Sequence, residues 1–218
     1  LTSDTPWSAN LRAGLADLGN RDMSMAPFGQ AGRGLVDAVR FAEVLAALDQ
    51  GDSPVEYPSS ALARQLEQAA RLLSTDVGVR VVHVKLDGFD THEGQAGQHD
   101  ALMEQLGGAM AAFADDLEAK GLGSSTLVAT TSEFGRRAAP NSSGTDHGAA
   151  SIAMLSGPVV AGLHGEASSL TALDENGNLI ARVSMEDYYS TLAENWMGVP
   201  ASSVLKRPGT SMPEIFAA

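Results

Sequence analysis

Apolar positions recur along this chain with two different periods. Over residues 34–48, Leu35, Val39, Ala42, Leu45 and Leu48 fall at helical spacing. A turn is predicted at Gly51-Asp52-Ser53-Pro54, where Gly and Pro punctuate the chain. Ser59 or Ser60 can cap a second helix whose inner face carries Leu62, Leu66, Ala69 and Leu73. Residues 79–86 are short and Val-rich and end in Asp87-Gly88, which reads as a strand running into a turn. A long helix is predicted over about 98–120, with Leu102, Leu106, Met110, Phe113 and Leu117 on one stripe. Gly121 and Gly123 stop it.

Residues 126–131 form the second predicted strand, and apolar runs follow at 152–155 and 159–161. Strand, crossover helix and strand make a βαβ pattern, which implies a parallel pair. The first 30 residues hold a helical patch near 11–18. Near the C-terminus, Ser184 and Asp187 resemble a capping box ahead of Tyr188, Leu192 and Trp196. With no internal repeat and no linker, one α/β domain over residues 1–218 is expected, built on a parallel-rich sheet flanked by helices.

The chain has 218 residues, enough for a substantial core, and a formal net charge of −13. Its acidic residues are spread along the chain. That balance disfavours nucleic acid and anionic membranes as partners, and it attracts divalent cations. No apolar run reaches the length of a transmembrane segment. The absence of Cys excludes disulfides, Cys-based zinc knots and thiol nucleophiles. The chain opens on Leu1 without Met or a signal-like segment, so a processed, cleaved or truncated product is expected.

Three polar clusters follow the predicted strands or precede the third: Asp87-Gly88-Phe89-Asp90-Thr91-His92-Glu93, Ser132-Glu133-Phe134-Gly135-Arg136-Arg137, and Gly144-Thr145-Asp146-His147-Gly148. In open parallel sheets ligands bind beyond the carboxyl ends of the strands, so these loops should converge on one crevice. Asp90 and His92 lie two apart, and in an extended segment both point to one side, towards a shared ion or into a hydrogen-bonded loop end. Carboxylate with imidazole suits zinc, manganese or iron better than calcium or magnesium. His147 completes three ligands and leaves a position open for water or substrate. Glu133 reads as a further ligand, as a partner behind the ligands, or as a salt-bridge partner of Arg136 or Arg137. Arg136 can hold an anionic ester through paired donors, or neutralise the local carboxylates. Asp146 is either a ligand or the group that orients an imidazole through its second nitrogen. His83 reads as a core or sheet-face residue and His99 as solvent-exposed. His164 lies in a Gly-rich stretch from which it can approach the site. Thr91, Ser132 and Thr145 are nearby hydroxyls.

Asp87-Gly88-Phe89-Asp90-Thr91-His92, a long helix, Ser132-Glu133-Phe134-Gly135-Arg136 and Gly144-Thr145-Asp146-His147-Gly148 together resemble the family called domain of unknown function 1501. That family is sulfatase-like and belongs with the alkaline phosphatases and cofactor-independent phosphoglycerate mutases. The resemblance spans roughly residues 34–200, and its diagnostic part is 87–148. Asp187-Tyr188, Leu192 and Trp196-Met197-Gly198-Val199 resemble the family's C-terminal helix. The resemblance implies an alkaline-phosphatase-like architecture of which this chain is the C-terminal half. It matches Asp90 and His92 to the paired ligands after a central strand, Glu133 to the next acidic ligand and His147 to the late histidine ligand. Phe134 departs from it, standing where the phosphatases commonly have His. No Ser or Thr matches the superfamily's nucleophile, and a Cys-derived formylglycine is ruled out.

The expected function is therefore metal-dependent hydrolysis of phosphate or sulfate esters, with a divalent cation, zinc or manganese ahead of calcium. The expected partners are an anionic ester or glycan and the missing N-terminal segment, supplied as a separate chain or lost in processing. The resemblance implies twin-arginine export to the periplasm or cell exterior. The alternative is a non-catalytic relative that serves as an exported metal- or carbohydrate-binding or assembly module.

Overall fold

Residues 81–86 keep the alternation of a strand, yet the run 79–86 joins no sheet. In the computed structural model the described residues are 53–216 apart from 76, with parts of two helical stretches at 9–17 and 34–44. Val39 and Ala42 are buried in the second stretch. Leu35, Leu45 and Leu48, Gly51 and Asp52 of the predicted turn, and much of the patch near 11–18 lie outside the described residues. The chain packs as two compact units, Leu1–Lys85 with Gly108–Lys120, and Leu86–Gly107 with Gly121–Ala218.

In the first unit, helix α1 (Ala61–Leu73) begins where Ser60 accepts a hydrogen bond from the Ala63 N–H, 3.1 Å away. That bond satisfies one of the donors a helix start leaves open. Leu62, Leu66 and Ala69 are buried as their spacing predicts, joined by Ala63 and Ala70, while Leu73 is half-buried. Each fully buried Leu contributes about 2 kcal/mol. Helix α2 (Gln95–Ala119) gives this unit its second half, where Ala109, Ala112, Phe113 and Leu117 are buried. Asp116 is buried among them, and its charge is compensated by Lys120 and by the Tyr57 hydroxyl at 2.9 Å. Burial, followed by the hydrogen bond to Asp116, pushes the Tyr57 hydroxyl pKa well above its usual value.

The extended run at 79–86 explains why the expected parallel-rich sheet does not form. Parallel strands are covered on both faces, but Val81, His83 and Lys85 are exposed here. The Gln65 side chain accepts from the Lys85 N–H at 2.9 Å and donates to the Lys85 carbonyl at 3.0 Å. One amide thus makes the pair of bonds that a neighbouring strand would offer.

In the second unit the sheets among the described residues are two antiparallel pairs. Strand β1 (Val128–Ala129), inside the predicted 126–131 run, pairs with β4 (Leu155–Ser156) rather than with 79–86. Strands β2 (Gly135–Asn141) and β3 (Gly144–Gly148) form a hairpin, with Gly135 opposite Gly148 and Arg136 opposite His147. The two residues between them make the turn, and Ser142 takes a left-handed conformation (φ 55°) that such tight hairpins require. Two segments expected to be loops at a sheet edge are therefore paired strands.

Helix α3 (Met185–Thr191) starts at a capping box in which Ser184 accepts from the Asp187 N–H and Asp187 accepts from the Ser184 N–H. A π-helical turn, Leu192–Trp196, continues it. The Tyr188 hydroxyl donates to the Thr130 carbonyl at 2.9 Å, which ties α3 to the end of β1. The later chain folds back onto α3: the Gly209 N–H donates to Ser190 Oγ and the Met212 N–H to Thr191 Oγ1. Ser190 and Thr191 are buried and these bonds use their hydroxyls. No helix among the described residues is long and apolar enough to cross a membrane.

Candidate metal centre

Three of the predicted site residues meet at the hairpin. Asp90, His92 and His147 each offer one ligand atom, all within 4.8 Å of one another, and the trio forms a group that can hold a metal ion. Asp90 Oδ1 lies 2.7 Å from His147 Nε2 and 3.1 Å from His92 Nε2. Ligand atoms around a tetrahedral zinc stand about 3.3 Å apart. One carboxylate oxygen and two imidazole nitrogens at these separations fit a cation after a small spreading of the trio. The side chains remain 68, 47 and 42 % exposed for Asp90, His92 and His147, so the site is open to solvent. Hydrogen bonding from His147 first, with help from its charge and from His92, holds the Asp90 carboxyl below the usual carboxylate range.

The local backbone explains the convergence. Asp90 and His92 lie on the exposed side of a stretch that turns at Asp90, where the Thr91 N–H donates to the Phe89 carbonyl at 2.9 Å, and Thr91 between them is buried. His147 is brought in by the hairpin. Gly144, at the start of β3, lies so close to His92 that a Cβ there would collide with the His92 carbonyl. Ser143 also ties the turn to the start of α2, because its Oγ accepts from the Gly94 N–H at 2.8 Å and its carbonyl from the Gln95 N–H at 3.1 Å.

Asp146 lies beside His92 rather than beside its neighbour His147. Its Oδ1 lies 3.6 Å from His92 Nδ1, the ring nitrogen that does not face Asp90. Asn141 holds the Asp146 carboxylate by donating to the same oxygen. The carboxylate thus stands on the side of the imidazole opposite Asp90, at ion-pair rather than hydrogen-bond distance. Glu133 is exposed and lies outside the trio.

Arg136 is occupied within the protein. One arm of its guanidinium donates to the Thr145 carbonyl, and the other to the Phe89 carbonyl and, at 3.4 Å, to Thr91 Oγ1. Phe134 cannot ligate, but its ring stacks on the His147 imidazole with centroids 3.9 Å apart and planes 6° from parallel. Arg136 lies 5.3 Å from the same Phe ring. Phe134, Thr91 and Asn141 are thus the site residues that sequence reasoning undervalued. The inward alternation of Thr91 was the signal available for one of them.

The remaining histidines stand apart. His83 is exposed on the extended run, His99 is exposed with its ring edge-on to Phe89, and His164 Nε2 is 2.8 Å from the Val160 carbonyl.

A family model matches residues 42–209, a span that includes the trio, the hairpin and the capped helix α3. Neither the curated proteins nor the solved structures hold a match to the chain. On the strength of that span, the chain belongs to the family described as Protein of unknown function (DUF1501).

Proposed function

We propose that this protein is a metal-dependent hydrolase-like member of the alkaline phosphatase and sulfatase superfamily, acting on phosphate or sulfate esters through the Asp90–His92–His147 site. The observation that carries the proposal is the placement of two imidazole Nε2 atoms on one carboxylate oxygen in a solvent-open site. Mixed nitrogen and oxygen donors favour zinc or manganese over calcium. Such an ion, when bound, polarises an ester oxygen and lowers the pKa of a bound water. Residues of this chain flank the donors: Asp146 stands beside His92, and Phe134 packs against His147. Glu133 remains the candidate for a further donor, on the segment just before β2.

Turnover is proposed to require the superfamily's nucleophile, on a segment supplied as a separate chain or lost in processing, in an exported protein. The second reading, a non-catalytic module that binds metal or carbohydrate, draws support from Arg136, whose two arms are aimed at backbone carbonyls rather than at an open face. A panel of aryl phosphates and aryl sulfates, assayed with zinc or manganese, separates the two. The hydrolase proposal expects hydrolysis by the product of the whole gene and little by this chain alone. A metal-loaded whole product inert towards every ester would leave the module reading.

A further inference from the structure

We propose that Arg136 is a positioning residue that bolts the two ligand-bearing segments together, an inference that rests on the metal-site proposal above. The segment carrying Asp90 and His92 and the strand carrying His147 are far apart in the chain, so something must hold them in register. Arg136 reaches both. One arm takes the Phe89 carbonyl and Thr91 Oγ1, which flank Asp90, and Thr91 also directly precedes His92. The other arm takes the Thr145 carbonyl, two residues before His147 on the same strand. Arg136 is also the residue opposite His147 in the hairpin ladder.

A second contact runs through a ring. The guanidinium lies 5.3 Å from the Phe134 centroid, and Phe134 in turn stacks on His147 at 3.9 Å. Every ligand of the trio is therefore within two residues, or one ring, of a single guanidinium. A planar fork with donors on both arms spans two backbone segments in a fixed geometry, whereas Lys has three donors on one compact ammonium and no such spread. The orientation has a cost for the alternative role. Arms committed to carbonyls on either side are not presented to a substrate anion.

The test is titration of the whole chain with Co2+, followed by visible absorption and then by inorganic phosphate added to the Co2+-loaded protein. Arg136→Gln and Arg136→Lys should each weaken Co2+ binding about 10- to 100-fold, the range for losing an orienting partner, and alter the absorption bands. Failure of Lys to rescue, although it keeps the charge, is the signature of the fork. Phe134→Leu should shift the bands with a smaller loss of affinity, and Phe134→Tyr should restore them. Unchanged Co2+ affinity with weakened phosphate binding in the Arg136 variants would overturn the proposal in favour of an anion-holding arginine. If circular dichroism shows the Arg136 variants unfolded, Thr91→Val and Phe134→Leu decide, and native Co2+ affinity and spectrum in both overturn it. A wild-type chain that takes no Co2+ removes the metal site and this inference together. A wild-type chain that binds, beside indifferent variants, removes the inference alone.

Discussion

Asp90 Oδ1 and His147 Nε2 lie 2.7 Å apart across 57 residues of sequence. The atoms that would ligate an ion are already held against one another by hydrogen bonds. Pre-ordering of this kind reduces what a cation must spend on assembling its site. It also makes Asp90 the hinge of the account, since both imidazoles converge on its one oxygen.

Asp90→Asn keeps the shape of the side chain and removes its charge. Divalent-metal affinity should fall by more than about 100-fold, beyond what loss of an orienting group costs, whereas Asp146→Asn should cost about tenfold. Isothermal titration calorimetry reads both. In the wild type, affinity should decline on acidification, because the ligands bind in their deprotonated forms. The depressed Asp90 carboxyl has a stability consequence of matching sign. Its contribution is present above the ordinary carboxylate value of about 3.9 and is lost as pH falls through its lower folded value.

Gly144→Ala should damage the site from a position that bears no ligand. The added methyl meets the His92 carbonyl, so the start of β3 or the His92 segment must move. A loss of about 1–3 kcal/mol in urea unfolding is expected, as for other overpacked sites, together with weaker metal binding. Native stability in this variant would mean that the two segments are less tightly apposed than the structure has them.

Tyr188 makes an alkaline prediction. Burial first, and the neighbouring Tyr189 second, push its pKa up to about 12. The folded state therefore holds the phenolic proton more tightly than the unfolded chain does. The contribution is complete below about pH 10, the unfolded value, and disappears as pH rises through about 12. Tyr188→Phe should lose about 1 kcal/mol at pH 8 with the bond to the Thr130 carbonyl. It should also flatten the alkaline part of the stability profile, measured by urea unfolding between pH 8 and 11.

The capping box on α3 can be read separately from the site. Ser184→Ala should cost about 1 kcal/mol at neutral pH. The Asp187 carboxyl is held below its usual range by the Ser184 side chain first, then by the Thr210 and Ser184 backbone N–H groups. Its contribution is present above about pH 3.9 and is lost as pH falls through its lower folded value. Asp187→Asn should therefore match the wild type more closely at pH 3 than at pH 7 in chemical denaturation.

Helices were legible in the sequence because their signals are local. Ser60 caps α1 and Ser184 caps α3 at the predicted places, and the Leu62, Leu66 and Ala69 stripe is buried as its spacing requires. The sheet was not, because pairing is a choice among distant partners. Residues 79–86 and 126–131 are both rich in β-branched residues, Val in the first and Thr in the second, but Gln65 takes up the Lys85 backbone and β1 turns to β4. The hairpin was hidden for a different reason. Its strands are polar and Gly-rich, include Pro140, and turn on Ser142 rather than on an Asn-Gly pair. The trio could still be named in advance, since a ligand pair two residues apart in the chain stays close whatever sheet surrounds it. The clamp could not, because Arg136 makes its bonds to backbone carbonyls that carry no residue-specific mark.

The most direct measurement is the metal content of the purified chain after equilibration with zinc or manganese, beside a His92→Ala, His147→Ala double variant that remains folded. About one tightly bound ion per wild-type chain is expected, with loss of that ion in the double variant. Substoichiometric metal in the wild type, or the same content in the double variant, would contradict it.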